Sequence, residues 1–238
     1  MSGREINDYA AFTPLPFSPY LDLRHCDCME YMRGLPDKAF ALAIVDPPYG
    51  IGAANMTMGS GVHAFTKGKQ WDNCTPDAPY FDELFRVSKN QIIWGGNYFT
   101  NHLPPSKHWA IWDKVNPNLS FAECEMAWIK DGKLTRIFKH YAAMPDGVKI
   151  HPTQKPVALY RWLLANYARP GDTILDTHMG SGSIAIACHY AGYKLTACEL
   201  DAEYYRDALE RVERETRQQT LFTQPIADPE QEHGCELL

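Results

Sequence analysis

The segment Asp46-Pro47-Pro48-Tyr49-Gly50 sets an acid, a rigid diproline and an aromatic ring side by side at the end of an apolar run. Two prolines fix the backbone and remove two N–H donors, which leaves carbonyl oxygens facing outward as acceptors. An exocyclic amino group has two hydrogens to donate. An Asp46 oxygen and the Pro47 carbonyl can accept both, drawing electron density onto the nitrogen for attack on an electrophilic methyl carbon. Tyr49 adds an aromatic face for a base, a contact worth ~1–3 kcal/mol. A plain turn does not require all three features, so Asp46, Pro47, Pro48 and Tyr49 are the candidate catalytic residues.

A second constellation lies 130 residues further on: Asp176-Thr177-His178-Met179-Gly180-Ser181-Gly182-Ser183. Glycines permit a tight turn and a close backbone approach to a ligand, and a helix N-terminus beyond them offers free N–H groups. Glu199 ends the next apolar run, where a carboxylate can take the two hydroxyls of a ribose. A nucleoside cofactor is favoured. A dinucleotide motif is absent, because Ala185 stands where G-x-G-x-x-G needs its last glycine, and no G-K-[ST] phosphate loop occurs.

These groups need elements to hold them. Phe40–Val45 reads as a buried parallel strand. Short strands are expected at Leu21–Arg24, Gln91–Trp94, Trp109–Trp112, Cys124–Ile129, Thr173–Leu175 and Leu195–Cys198, with a further one near Leu134–Phe138. Helices are expected at Tyr80–Val87, Ile184–Ala191 and Ala202–Arg217, and at Pro156–Ala168 with Pro156 in the first helical position. Strands alternating with helices imply an α/β, Rossmann-like, doubly wound and mostly parallel sheet with helices on both faces. Ligands of such sheets sit at the carboxyl ends of strands, and Asp46, Asp176 and Glu199 all fall there. Residues 1–20 read as an irregular arm, 21–222 as one domain, and 223–238 as a disordered acidic tail. Residues 50–73 read as a long loop, and 130–150 as loop-like apart from the short strand near Leu134–Phe138.

Composition narrows the class. The chain has 238 residues and a net charge of −6. Residues 199–238 alone carry eleven acids against four arginines, leaving +1 for the rest, and 130–155 has a balance of +4. A basic segment able to hold a phosphate backbone is therefore present despite the overall acidity. Seven scattered cysteines without a C-x-x-C pair read as reduced thiols, and no metal is expected. The polar N-terminus has no apolar leader and no apolar run could span a bilayer, so a cytoplasmic location without membrane is expected.

The motifs together resemble the β-class (permuted) DNA amino-methyltransferases of the N6-adenine/N4-cytosine type, in which the catalytic loop precedes the cofactor loop. Asp46–Tyr49 matches the catalytic motif. Cys26-Asp27-Cys28 resembles the acidic motif near the cofactor's adenine, and His151-Pro152-Thr153-Gln154-Lys155-Pro156 the H-P-T-x-K-P segment over its methionine end. Asp176–Ser183 matches the cofactor loop, Glu199-Leu200 the ribose site, and Gln219–Phe222 a Q-x-L-F tail. Asn90–Phe99 is similar to small phage and prophage methylases. The sequence departs from the usual D-P-F at Thr177 and His178.

The resemblance implies a class I S-adenosylmethionine-dependent methyltransferase fold, circularly permuted, and S-adenosylmethionine as cofactor. It would be held by Asp27, Cys28, Asp46, His151, Thr153, Lys155, Asp176, His178, Gly180, Ser181, Gly182, Ser183, Glu199 and Leu200. The partner would be DNA with its target base flipped out, with a homodimer possible. The acid at the head of the motif goes with adenine N6 in the family. Cytosine N4, an RNA or protein-glutamine amino-methyltransferase, and an inactive DNA-binding homologue are the alternatives. Residues 50–73 and 114–150 are the candidate DNA-recognition segments, and Lys67, Lys69, Lys133, Arg136, Lys139 and His140 the candidate phosphate contacts.

Overall fold

The computed structural model describes residues 11–52, 72, 74–115, 122–141, 150–151 and 153–219. Its strands are β1 (Leu21–His25), β2 (Phe40–Val45), β3 (Ser88–Trp94), β4 (Trp109–Asp113), β5 (Cys124–Ile129), β6 (Arg136–Lys139), β7 (Thr173–Asp176) and β8 (Lys194–Glu199). Its helices are α1 (Cys28–Arg33), α2 (Ala78–Val87), α3 (Val157–Tyr167), α4 (Ser183–Ala191) and α5 (Ala202–Gln219). One sheet holds all eight strands in the order β1-β8-β7-β2-β3-β5-β4-β6. Neighbours from β1 to β3 are parallel; β5 runs against both β3 and β4, and β6 lies parallel to β4.

The expected doubly wound architecture is present. β2 is central and covered on both faces, which is why its apolar run is unbroken rather than alternating. Leu42 and Ile44 pack on the side of α3, α4 and α5, with Leu159, Leu163, Ile184 and Val212. Ala43 and Val45 pack on the other side with Met32, Tyr80, Phe81 and Leu84 of α1 and α2. The amphipathic pattern of α2 places Tyr80, Phe81, Leu84 and Val87 on one buried stripe.

Boundaries shift by one to three residues at several elements; β3, for example, starts at Ser88 rather than Gln91, and α2 at Ala78 rather than Tyr80. Pro156 is the residue before α3, in extended conformation (φ −69°, ψ 145°), rather than its first turn; the fixed φ of proline suits either place. The strand expected near Leu134 begins at Arg136, where pairing to Ala110 of β4 starts. Residues 1–10, most of the 50–73 loop, 116–121, 142–149 and the tail beyond 219 lie outside the described residues. No helix among the described residues is long and apolar enough to cross a membrane.

Candidate active site

Parallel pairing brings the carboxyl ends of β2, β7 and β8 together, so Asp46, Asp176 and Glu199 meet at one edge of the sheet. A cavity of about 740 Å³ opens there, within the usual size for a bound small molecule. Its wall includes Asp27 and Cys28 at the start of α1, Asp46 and Pro48, and Tyr80 of α2. His151, Thr153 and Lys155 contribute from the loop before α3, and Thr177 to Ser181, Glu199 and Leu200 complete it. Gly182 and Ser183 stand behind this wall at the start of α4.

The Gly-rich turn is built by close packing. Gly182 has φ +73°, and a Cβ there would lie 2.7 Å from Val212 Cγ2 of α5, so only glycine fits. The fully buried Arg211 of α5 donates from Nη1 to the Ser181 carbonyl (2.7 Å) and to Ser183 Oγ (3.0 Å), which fixes the turn from beneath. Glu199 accepts the Gly180 N–H on Oε2 (2.9 Å) and the Asp201 N–H on Oε1 (3.0 Å). Each oxygen retains acceptor capacity toward the cavity. Asp27 caps α1, accepting the Met29 N–H at 2.6 Å and the Glu30 N–H at 3.3 Å on Oδ1.

His178 lies beside Tyr80, edge to face with ring centroids 5.5 Å apart. Its Nδ1 is 2.9 Å from Thr177 Oγ1, which is 2.7 Å from the Tyr80 hydroxyl. Burial pulls the imidazole down to about 4, so it is neutral near pH 7. Burial likewise pushes the Asp176 carboxyl up to about 8, against the His178 N–H that it accepts. His151 is buried, with its ring centroid 4.5 Å from that of Tyr204, and Thr153 Oγ1 lies 3.1 Å from its Nδ1.

Asp46 is engaged on both oxygens. The Tyr49 hydroxyl donates to Oδ1 at 2.5 Å, and Lys155 Nζ donates to Oδ2 at 2.5 Å. Lys155 thus reaches the Asp46–Tyr49 loop itself as well as the cavity where the sequence reading set it. The same Nζ is 3.0 Å from Glu125 Oε2, and Glu125 Oε1 is 2.7 Å from Lys114 Nζ. Four charges alternate in sign along this chain. Burial alone would raise Glu125, but Lys155 and Lys114 outweigh it and hold the carboxyl down at about 2. Burial would lower Lys155, and the carboxylates of Asp46 and Glu125 reverse that and raise it. For Asp46 burial is the larger influence, and its carboxyl is raised despite the pull of Lys155.

Sheet register explains how Glu125 arrives there. Val45 pairs with Ile93, and Trp94, one step further up, is level with Ala127, Ala110 and Arg136. Because β5 is reversed, Glu125 stands two residues above that level, overhanging Asp46. The ladder also separates the basic candidates. Lys139 and His140 lie above the level of Asp46 and Arg136 beside it, whereas Lys133 lies three residues below, toward the amino ends of the strands. Lys133, Arg136 and Lys139 are exposed. Lys67 and Lys69 fall outside the described residues.

The Tyr49 ring is stacked on Tyr98, with centroids 5.0 Å apart and planes 15° from parallel, so Tyr98 covers one of its faces. Gly95, with φ +69°, makes room for it, since a Cβ there would sit 2.5 Å from Tyr49 Cδ1. Asp72 anchors the loop backbone, accepting the Tyr49 N–H at 2.7 Å and the Gly50 N–H at 2.9 Å on Oδ1. The sequence reading missed Glu125, Asp72, Tyr80, Tyr98 and Arg211. Only the Gly95-Gly96 pair beside Tyr98 gave a local signal.

Known proteins resemble the chain at several levels. Residues 100–210 match the model of a DNA methylase family, N6_N4_Mtase. That span includes His151–Lys155, the Gly-rich turn and Glu199. A methylase of Escherichia coli (strain K12), YubD, is 25% identical over 214 residues, which cover 78% of this chain and 87% of that protein. Among solved structures, M1.HpyAVI in its SAM complex aligns with TM-score 0.56 and 17% identity over 81% of this chain and 98% of that one. TTHA0409 of Thermus thermophilus, described as a DNA modification methylase and solved with S-adenosyl-L-methionine, aligns with TM-score 0.53 and 17% identity over 82% of this chain and 94% of that one. The cytosine-N4-specific PvuII DNA methyltransferase aligns with TM-score 0.57 and 11% identity over 87% of this chain and 96% of that one. The chain has the fold of these DNA methyltransferases, and over residues 100–210 it is similar to the DNA methylase family.

Proposed function

We propose that this protein is a DNA amino-methyltransferase that uses S-adenosylmethionine and acts on adenine N6. The observation that carries the reading is that Asp46 and Pro48 of the Asp46-Pro47-Pro48-Tyr49 loop line a cavity that also presents Glu199 and the Gly-rich turn. The cavity fits the cofactor chemically as well as by size. Glu199 can accept two ribose hydroxyls, the opening of α1 can receive an adenine, and the loop from His151 to Lys155 faces the turn across the cavity. S-adenosylmethionine, when bound, supplies a methyl group activated by its sulfonium.

The residues of the chain then act by positioning and electrostatics. A flipped base donates its amino hydrogens to Asp46 and to the Pro47 carbonyl. Held in this way, the nitrogen would present its lone pair to the methyl group that the cofactor would supply. The nitrogen sheds one proton, for which the Asp46 carboxylate is the adjacent acceptor. The catalytic loop precedes the cofactor loop along the chain, which supports a permuted arrangement. Lys139 and His140, with Arg136 beside them, are suitably placed for the DNA backbone, and a second protomer could supply further contacts. Cytosine N4 is the second reading, favoured by the named specificity of the PvuII enzyme, which shares the fold. Calorimetric titration should show Asp46→Ala binding S-adenosylmethionine as the wild type does while transferring no methyl to DNA. Near-normal transfer by that variant refutes the proposal.

A further inference from the structure

We propose that Glu125 is a positioning residue that receives the Lys155 ammonium when a substrate amino group takes its place on Asp46. The inference rests on the amino-methylation reading above and extends it to a residue on the reversed strand β5.

Lys155 donates to Asp46 Oδ2 at 2.5 Å, on the carboxylate to which an incoming amine must also donate. Asp46 Oδ1 is already taken by the Tyr49 hydroxyl. An ammonium and an exocyclic amine are alike as N–H donors, so Lys155 holds the place of the substrate in the resting site. A lysine side chain that is 2% exposed cannot give up its counterion to water. Glu125 Oε2, 3.0 Å from the same Nζ, supplies the second counterion. Lys114, 2.7 Å from the other Glu125 oxygen, balances the carboxylate in turn. Among the described residues, every group in hydrogen-bonding or ion-pair reach of Lys155 Nζ has a part: Asp46 and Tyr49 on the catalytic loop, Glu125 on β5. The Trp94 ring, 5.3 Å from Nζ, adds a cation–π contact.

The exchange separates Glu125 from a residue that only supports the fold. With Glu125→Gln, Lys155 has Asp46 as its sole counterion among the described residues and stays on it. We expect kcat to fall about tenfold or more while the Kd for S-adenosylmethionine stays within about twofold. Adding Lys155→Met should restore transfer at least about threefold over Glu125→Gln, because Asp46 is freed. Glu125→Asp should keep most of the rate. A normal kcat in Glu125→Gln, or no recovery in the double variant, overturns the proposal. A second measurement needs no activity. By NMR titration of the lysine ε-methylene signals, Lys155 of Asp46→Asn should stay protonated to a higher pH than Lys155 of Asp46→Asn/Glu125→Gln. Equal midpoints also overturn the proposal. A wild-type protein that transfers no methyl to DNA would instead refute the function, and the titration would still decide the pairing.

Discussion

Replacing Gly95 by alanine tests whether the site depends on the close approach of Tyr49 to the chain. Gly95 has φ +69°, and a Cβ added there lies 2.5 Å from Tyr49 Cδ1 and 2.7 Å from Cζ. The left-handed backbone costs an alanine ~1–2 kcal/mol, and the forced overlap ~1–3 kcal/mol. If Tyr49 swings away to relieve the overlap, the bond from its hydroxyl to Asp46 is lost, at ~1.5–3 kcal/mol for a charged acceptor. Either route destabilises by about 2–5 kcal/mol. In a chain of this length that lowers Tm by roughly 4–20 °C. Gly171→Ala is the control: its φ is +86°, but a Cβ there meets nothing within 4 Å, so it incurs only the backbone cost. Thermal unfolding followed by circular dichroism, with methyl transfer measured in parallel, reads both effects. We expect Gly95→Ala to melt below Gly171→Ala and to lose most of its kcat, with cofactor affinity retained. If Gly95→Ala melts no lower than Gly171→Ala and transfers normally, the packing argument is wrong.

Further outcomes follow from the site. Asp72→Ala leaves the Tyr49 and Gly50 N–H groups without the acceptor they share. It should lower kcat severalfold at unchanged cofactor Kd, as measured by steady-state kinetics and calorimetry, and a cofactor defect alone would refute the anchoring role. His178 is held at about 4 when folded against an ordinary 6.5, so the unfolded chain binds more protons between those values. Its contribution to stability is therefore complete above pH 6.5 and is lost as the pH falls toward 4. His178→Phe should flatten that part of a urea-unfolding pH series and leave cofactor binding intact. Glu125, at about 2 when folded against 4.5, contributes stability above pH 4.5 that is lost as the pH falls toward 2. Glu125→Gln should be less stable than the wild type at pH 7, with the gap closing in acid.

Much of the fold was legible because its central elements are local patterns. β2, β7 and β8 are short, largely apolar runs with an acid at or just after their last residue, and α4 lies between two glycines with positive φ. The residues that hold Asp46 were not legible, because their partners are distant in the chain. Lys155 meets Asp46 across 109 residues, and Glu125 reaches it only because β5 is inserted in reverse between β3 and β4. Nothing in the sequence around Cys124–Ile129 reveals that reversal. In the sequence Arg211 is one of four arginines among the acids of residues 199–238, and only the close approach of α5 to Gly182 buries it. Asp72 sits at the end of a stretch without periodicity, where no pattern could single it out. Lys133 looked equivalent to Lys139, and register alone separates them.

The central claim is that the Asp46 loop methylates an amino group of a DNA base. The most direct test incubates the protein with DNA and S-adenosylmethionine carrying a labelled methyl group, digests the DNA to nucleosides and identifies the labelled one by mass and retention. We expect N6-methyldeoxyadenosine from the wild type and none from Asp46→Ala. Labelled N4-methyldeoxycytidine would contradict the choice of base. No labelled nucleoside from the wild type, or equal label from Asp46→Ala, would contradict the account itself.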